Sequence, residues 1–366
     1  MIEKKRYLYI CFIDYTKAFD RIKHQKLINI LLAKGIPRAE IKIIRNLYWN
    51  QKAKVRVGDS YTSEFKVKKG VRQGCILSPV LFNLYSEELI NTALDGYKGV
   101  TFNGIRYTNI RFADDTAVVA ESEEELQSMI NSINTACEEY GMALNAKKTK
   151  TMVVRKDQNE KSCTVKVNDT TLEQVKKYKY LGTMVTDDGR SIVEVKRRIA
   201  LAKDAFWKYQ DLLRRDVKMK TKKKVLTCYI YSVLKYGCES WTITKEIRRR
   251  IEAFEMWCYR RILKVSWRDR VTNEEVLRRV GETRKLYQSI SRSKLKFAGH
   301  VVRGSSGEMC QNIIEGSVEG KRSRGRQRKT WMEDIKEWMG ESSYGLVKRR
   351  MEDKPVYRKW SSTFSC

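Results

Sequence analysis

Asn109–Ala120, NIRFADDTAVVA, decides the reading of this chain, because two adjacent carboxylates, Asp114 and Asp115, interrupt a run otherwise rich in β-formers. Ile110 and Phe112 on one side and Ala117 to Ala120 on the other predict two short buried strands joined by a tight turn. Asp suits such a turn by bonding its own backbone. Taken alone, the pair is equally at home as a plain hairpin turn. A second strand-like segment, Tyr7–Ile13 (YLYICFI), also runs straight into an aspartate, Asp14. Two apolar strands ending in acid point to one shared carboxylate cluster. Like charges that close stay ionised only beside a cation, and convergent hard oxygens suit Mg²⁺, which fills its shell with water and substrate phosphates. Two such ions favour in-line phosphoryl transfer, so nucleotidyl transfer is the expected chemistry.

Composition agrees with a polyanionic partner. The net charge of the 366 residues is +31; residues 1–150 carry 24 Lys+Arg against 17 Asp+Glu, and the remainder 51 against 27. The excess is therefore +7 in the first part and +24 in the second, which favours nucleic acid over an anionic membrane, with a solvated basic face as the plain alternative. No apolar run approaches the roughly 20 residues that span a bilayer, and Met1–Arg6 lacks the apolar stretch of a signal peptide. A soluble, intracellular protein without membrane contact is expected, in nucleus or cytoplasm. The nine cysteines are scattered without a C-x-x-C pair, and only two histidines occur, so neither a disulfide framework nor a zinc site is indicated.

Along the chain, DYTKAFD (Asp14–Asp20) leads into a helix with Leu27, Ile28, Ile30, Leu31 and Leu32 on its apolar face. Gly35 and Pro37 break it before a second helix over Ala39–Tyr48. Lys54–Val57 and Ser63–Val67 predict a strand pair around Gly58 and Asp59. GVRQGCILSP (Gly70–Pro79) is a loop whose glycines allow close approach to a ligand, running into a helix over Val80–Leu94. Asn103-Gly104 marks a hairpin, Glu123–Tyr140 an amphipathic helix, and Thr151–Arg155 another strand. The alternation predicts an α+β fold, its sheet carrying carboxylates on one face with helices behind. Residues 190–265 read as basic helices with Trp207, Trp241 and Trp257 as core candidates.

The ordered set FIDYTKAFD, GVRQGCILSP, FADD, GMALNAKKTK and YLGTMVTDDG resembles the reverse transcriptase of non-LTR (LINE-type) retrotransposons over roughly residues 7–190. The C-terminal segments KLKFAGHVVR and GKRSRGRQRKTW resemble RTE/BovB-like elements, with the jockey-like group a near alternative. The resemblance implies a polymerase right hand: a palm of antiparallel sheet backed by helices over residues 1–175, a primer-grip hairpin and helical thumb over 176–270, and a basic C-terminal region over 271–366. It implies RNA-directed DNA polymerisation with two Mg²⁺ ions, or Mn²⁺ in their place, on an RNA template, with a DNA primer, deoxynucleoside triphosphates and the element's own RNA as partners. A non-catalytic RNA- or DNA-binding remnant of such an element is the alternative.

By the same resemblance Asp14, Asp114 and Asp115 are the metal ligands and catalytic carboxylates. Lys148 is the general acid for the leaving pyrophosphate, with Lys147 a rival beside it. Tyr15, Phe19, Gln73 and Gly74 contact the incoming nucleotide, Phe19 excluding a 2′-OH or else serving as the first apolar contact of its helix. Tyr180, Leu181 and Gly182 form the primer grip. Lys321, Arg322, Arg324, Arg326, Arg328 and Lys329 make a basic strip for phosphates, or a nuclear-import signal. Six residues precede the first palm strand, so the fingers are expected to be largely absent and the chain N-terminally truncated.

Overall fold

A computed structural model describes residues 6–49, 51–155, 161–316 and 327–364. The chain divides into two compact units at Leu181/Gly182, each with its own core.

In the first unit, the elements in order are β1 (Leu8–Ile13), α1 (His24–Ala33), α2 (Arg38–Tyr48), α3 (Ser78–Leu94), β2 (Asn109–Phe112), β3 (Asp115–Ala120), α4 (Glu123–Tyr140), β4 (Lys150–Val154), β5 (Glu173–Gln174) and β6 (Lys177–Tyr180). Five strands make one sheet in the order β5-β4-β1-β3-β2. The sheet expected to be antiparallel throughout has one exception: β4 and β5 run parallel, Lys150 against Glu173 and Thr151 against Gln174.

β1 sits at the centre and is apolar on both faces. Its odd residues, Tyr9, Cys11 and Ile13, join the core formed with α3 and α4, which includes Phe82, Tyr85, Leu126 and Ile130. Its even residues face the other way, and Phe12 stacks on Tyr178 of β6 at 4.1 Å. Period-two alternation therefore gives two packed sides rather than one wet and one dry. α4 begins at Ser122, whose hydroxyl accepts the Glu125 N–H (3.1 Å), and its first turn carries Glu123, Glu124 and Glu125, which the helix dipole favours.

The strand pair expected around Gly58-Asp59 is two nested two-residue ladders. Arg56 and Val57 pair with Tyr61 and Ser60, and further out Lys52 and Ala53 pair with Lys66 and Phe65. The turn is where the sequence placed it, but the return strand starts at Ser60, not Ser63. The Asn103-Gly104 hairpin forms with both residues at left-handed φ, 49° and 80°.

The second unit opens with β7 (Thr183–Thr186) and is otherwise helical: α5 (Ile192–Lys208), α6 (Gln210–Arg214), α7 (Met219–Val225), α8 (Ser232–Lys235), α9 (Lys245–Ile262), α10 (Asn273–Val280), α11 (Leu286–Val302), α12 (Glu308–Glu315), α13 (Trp331–Met339), α14 (Tyr344–Glu352) and α15 (Lys354–Thr363). Trp241 is in its core at 1 % exposure, whereas Trp207 is 38 % exposed, a correction to the expected buried trio. Two buried ionic centres lock the unit. Glu194 accepts from Met184 N–H (2.9 Å), Arg197 (2.8 Å) and Arg198 (2.6 Å), and both arginines donate to the Gly182 carbonyl at 2.6 Å. Lys294 donates to Asp334 and to the Trp241 carbonyl (2.7 Å), while Asp334 also accepts the Ile243 N–H (2.7 Å).

Among the described residues, no helix is long and apolar enough to cross a membrane. The eight described cysteines are free thiols.

Candidate active site

The carboxylates come together through strand register. β1 and β3 pair antiparallel with Ile13 opposite Thr116, and the same register carried one residue further sets Asp14 opposite Asp115. By alternation both lie on the face away from α3 and α4, the side on which Phe12 meets Tyr178. Asp114 lies in the two-residue turn closed by the Phe112–Asp115 pair, and that turn needs Ala113 at a left-handed φ of 54°. A non-glycine residue there costs on the order of 1–2 kcal/mol, which the paired strands on either side sustain.

The electrostatics carry the mark of crowding. The Asp115 carboxyl is pushed above the usual carboxylate range, first by partial desolvation and then by the negative charges of Asp114 and Asp14. Tyr178 is raised by burial and by Asp115 and Asp14, and Tyr180, raised by burial and by Asp115 and Tyr178, reaches about 12. Tyr180 donates to the carbonyls of Ile110 (3.0 Å) and Asp115 (3.2 Å), so its ring is fastened to the backbone of the carboxylate hairpin.

The other predicted residues fall on either side of this end of the sheet. Asn145 N–H donates to the Asp14 carbonyl (2.8 Å) and Thr149 Oγ1 accepts the Asp14 N–H (3.2 Å), which brings the turn carrying exposed Lys147 and Lys148 alongside. Phe19 is half-buried on Phe82 at 4.5 Å, and its carbonyl accepts the Val71 N–H (2.9 Å), tying the Gly70–Pro79 loop to the DYTKAFD turn. Gly70 cannot be replaced there: its φ is 90°, and a Cβ would stand 2.9 Å from Asp20 Cα. Gln73 and Gly74 are exposed in the same loop.

Tyr15 is a different case. It is 8 % exposed and packs in the helix-side core beneath Asp14. Leu181 and Gly182 both have left-handed φ, 47° and 76°, as a tight two-residue turn requires. Lys321, Arg322, Arg324 and Arg326 lie outside the described residues. Arg328 donates to the Asp188 carbonyl (3.1 Å), and Lys329 is held between Asp334 (2.8 Å) and Glu337 (2.6 Å).

Sequence reasoning missed Tyr178, although the alternation of Lys177–Tyr180, KYKY, places Tyr178 and Tyr180 on one side of a strand. It also missed the struts behind the glycine loop. His24 bonds the Gly70 carbonyl at 2.7 Å, and Ser78 donates to the Arg72 carbonyl at 2.6 Å. No local pattern announces the His24–Gly70 bond, whose partners are far apart in the chain.

Among the described residues, no three His, Cys, Asp or Glu side chains are gathered into a ready metal cage. The donor set nevertheless fits Mg²⁺, which takes one or two protein carboxylates and leaves its other positions to water and phosphate. The raised Asp115 carboxyl is where a cation would relieve repulsion.

A family model described as reverse transcriptase (RNA-dependent DNA polymerase) matches residues 1–185, half of the chain. This chain belongs to the reverse transcriptase family. Similar sequences include a transposon-derived protein of Caenorhabditis elegans, 27 % identical over 71 % of this chain and 92 % of its own length. The R2DM retrotransposable element polyprotein of Drosophila melanogaster is 33 % identical over 50 % of this chain and 18 % of its own length. The polymerase of the mobile element jockey of Drosophila funebris is 26 % identical over 68 % and 28 %. The reverse transcriptase relatives are thus proteins of non-LTR elements, and this chain spans under a third of the length of the R2DM and jockey proteins. Among solved structures, a telomerase of Candida tropicalis aligns with 99 % of this chain and 50 % of its own at 13 % identity and a TM-score of 0.38, too loose a likeness to bear on the fold. Reverse transcriptases as a family use divalent metal ions, in keeping with the donor set at Asp14, Asp114 and Asp115.

Proposed function

We propose that this reverse transcriptase chain extends a DNA primer on an RNA template, as part of a non-LTR retrotransposon, with the sheet-bearing unit as palm and the helical unit as thumb and basic C-terminal region. The observation that carries the reading is the β1–β3 register, which sets Asp14 opposite Asp115 on one face with Asp114 in the adjoining turn.

In this reading Asp14, Asp114 and Asp115 hold two Mg²⁺ ions, which when bound stabilise charge on the attacking 3′-oxygen and the leaving phosphate oxygens. The protein's part is positioning, since phosphoryl transfer depends on alignment and charge stabilisation far more than on covalent help. Tyr180 keeps the carboxylate hairpin in register through its two backbone hydrogen bonds. Phe19, fixed by Phe82, stands as the wall that a 2′-OH would meet. The loop bearing Gln73 and Gly74 supplies backbone and amide groups to the base pair being formed. Lys148 gives a proton to the departing pyrophosphate from the turn beside Asp14. Tyr15 serves from below, packing the strand end that aims Asp14. Leu181 and Gly182 continue the Tyr180 strand as the grip on the primer end.

Primer extension on poly(rA)·oligo(dT) with dTTP and Mg²⁺ tests this. Incorporation that disappears in Asp114→Asn supports the polymerase. Retained RNA binding in a folded protein with no incorporation would replace it with a binding remnant of such an element.

A further inference from the structure

The second unit holds a group of cations and indoles that the polymerase reading does not use. Most surface arginines of α9 and α10 are neutralised at once by their own helices: Arg248 by Glu252, Arg250 by Glu246, Arg278 and Arg279 by Glu275. At the C-terminal end of α9 the pattern stops. Among the described residues, Arg214, Arg261, Lys264 and Arg268 have no carboxylate partner.

These uncompensated cations surround aromatic rings. Arg261 lies over Trp207 at 5.3 Å and over Trp257 at 5.6 Å, and Lys203 lies over Trp257 at 5.3 Å. Arg214, Trp257, Arg260, Arg261, Lys264 and Trp267 line an open groove of about 690 Å³. Trp267 is 84 % exposed, which no packing demand explains. It rides on a single turn held rigid by a reciprocal cap: Asp269 accepts the Ser266 N–H at 2.6 Å, and Ser266 Oγ accepts from the backbone of the turn. Lys264 and Arg270 flank that turn at left-handed φ of 57° and 49°. An exposed indole on a braced turn is presented, not merely left over.

We propose that this groove binds single-stranded nucleic acid, with Trp267 stacking on an unpaired base and Arg214, Arg261 and Lys264 contacting the phosphates beside it. Charge favours a polyanion, and the indole selects among polyanions. Every base offers a π-face, but in a duplex those faces are already stacked on their neighbours, so a rigid exposed ring gains most from an unpaired base. An acidic peptide would engage the cations and leave Trp267 without a role. The site lies wholly within the helical unit and does not depend on the carboxylate hairpin.

The test uses the full chain, in EDTA and without nucleotides, so that its outcome is separate from that of primer extension. Fluorescence anisotropy of labelled oligo(U) and oligo(dT) of roughly 16 nucleotides is compared with that of a blunt duplex of equal length. Trp267→Ala should weaken single-strand binding about tenfold and leave duplex binding nearly unchanged, with Trp267→Phe recovering most of the loss. Lys264→Gln with Arg214→Gln should reduce the slope of log affinity against log salt by about 1.4, two single-strand phosphate contacts. Unchanged single-strand affinity in Trp267→Ala would overturn the proposal, as would an equal loss for duplex and single strand. Because Trp267 is exposed, its replacement leaves the fold intact.

Discussion

The carboxylates of the two units live under opposite rules. Asp14, Asp114 and Asp115 stand together with no Lys or Arg ion pair among the described residues, and Asp115 rises above the ordinary carboxylate range. Glu194, far more deeply buried, falls below it: burial pushes it up, but hydrogen bonds from Arg197, Arg198 and Met184 outweigh that push. A buried acid with its counter-ions built in serves stability, whereas a partly exposed group of acids without them is arranged for something that arrives later.

The sharpest way to break this contrast is Asp114→Asn. Removing one of three mutually repelling charges should lower primer extension by about 10³-fold or more, while urea unfolding finds the protein no less stable. Lost stability would make the hairpin a structural device instead. The converse experiment is Asp334→Ala, which leaves the Lys294 ammonium buried and unpaired and should cost about 3–5 kcal/mol in urea unfolding. Desolvation brings Lys294 down to about 8 even with Asp334 holding it up, so without Asp334 the amine gives up its proton at a lower pH, and the loss should shrink as pH rises towards 8 and level off above it. Replacing both partners by Lys294→Met and Asp334→Leu should recover much of the stability.

Gly70→Ala comes next. The left-handed φ and the close Asp20 backbone predict a loss of about 1–3 kcal/mol, together with weaker primer extension because the loop bearing Gln73 must shift. The smallest effect is a pair of opposite pH slopes. Glu194, with its depressed folded-state value, contributes stability above the unfolded carboxylate range near 4.3 that is lost as pH falls through the folded value; Glu194→Gln should flatten the acid limb of a plot of Tm against pH. Glu255 is raised by burial, with only the Lys285 and Leu286 N–H groups, the Tyr259 hydroxyl and the distant Arg284 charge in opposition. Its ionisation therefore lowers stability as pH climbs from the unfolded to the folded value, and Glu255→Gln should remove that decline. Equal slopes in the two variants would mean that the paired guanidiniums of Glu194 are not what separates them.

Much of the first unit was legible because its signals are local. Alternation in YLYICFI, paired Asp between apolar runs, and the 3.6-residue pattern from Glu123 to Tyr140 each fit within one element, and α4 has the predicted bounds. What escaped depends on partners far along the chain. Nothing near Tyr178 says that it will stack on Phe12, and nothing in the basic strip says that Lys329 will be held by Asp334 and Glu337. Trp207 was misplaced for the same reason: in a helix this rich in Lys and Arg, a tryptophan reads as core, and nothing near it says that Arg261 will lie over its exposed face. The nested ladders around Gly58-Asp59 show how little two-residue strands declare of their register.

The strand order of the sheet also bears on how the protein behaves in the tube. Its long apolar strands, β1 and β3, are interior, while the edges are β2, with four residues including Arg111, and β5, with two. Edges that short give a second copy little backbone to add to, which guards the finished sheet against aggregation. Before the sheet closes, LYICFI and TAVVA have no such guard. Refolding yield should therefore fall with chain concentration more steeply than the solubility of the native protein does.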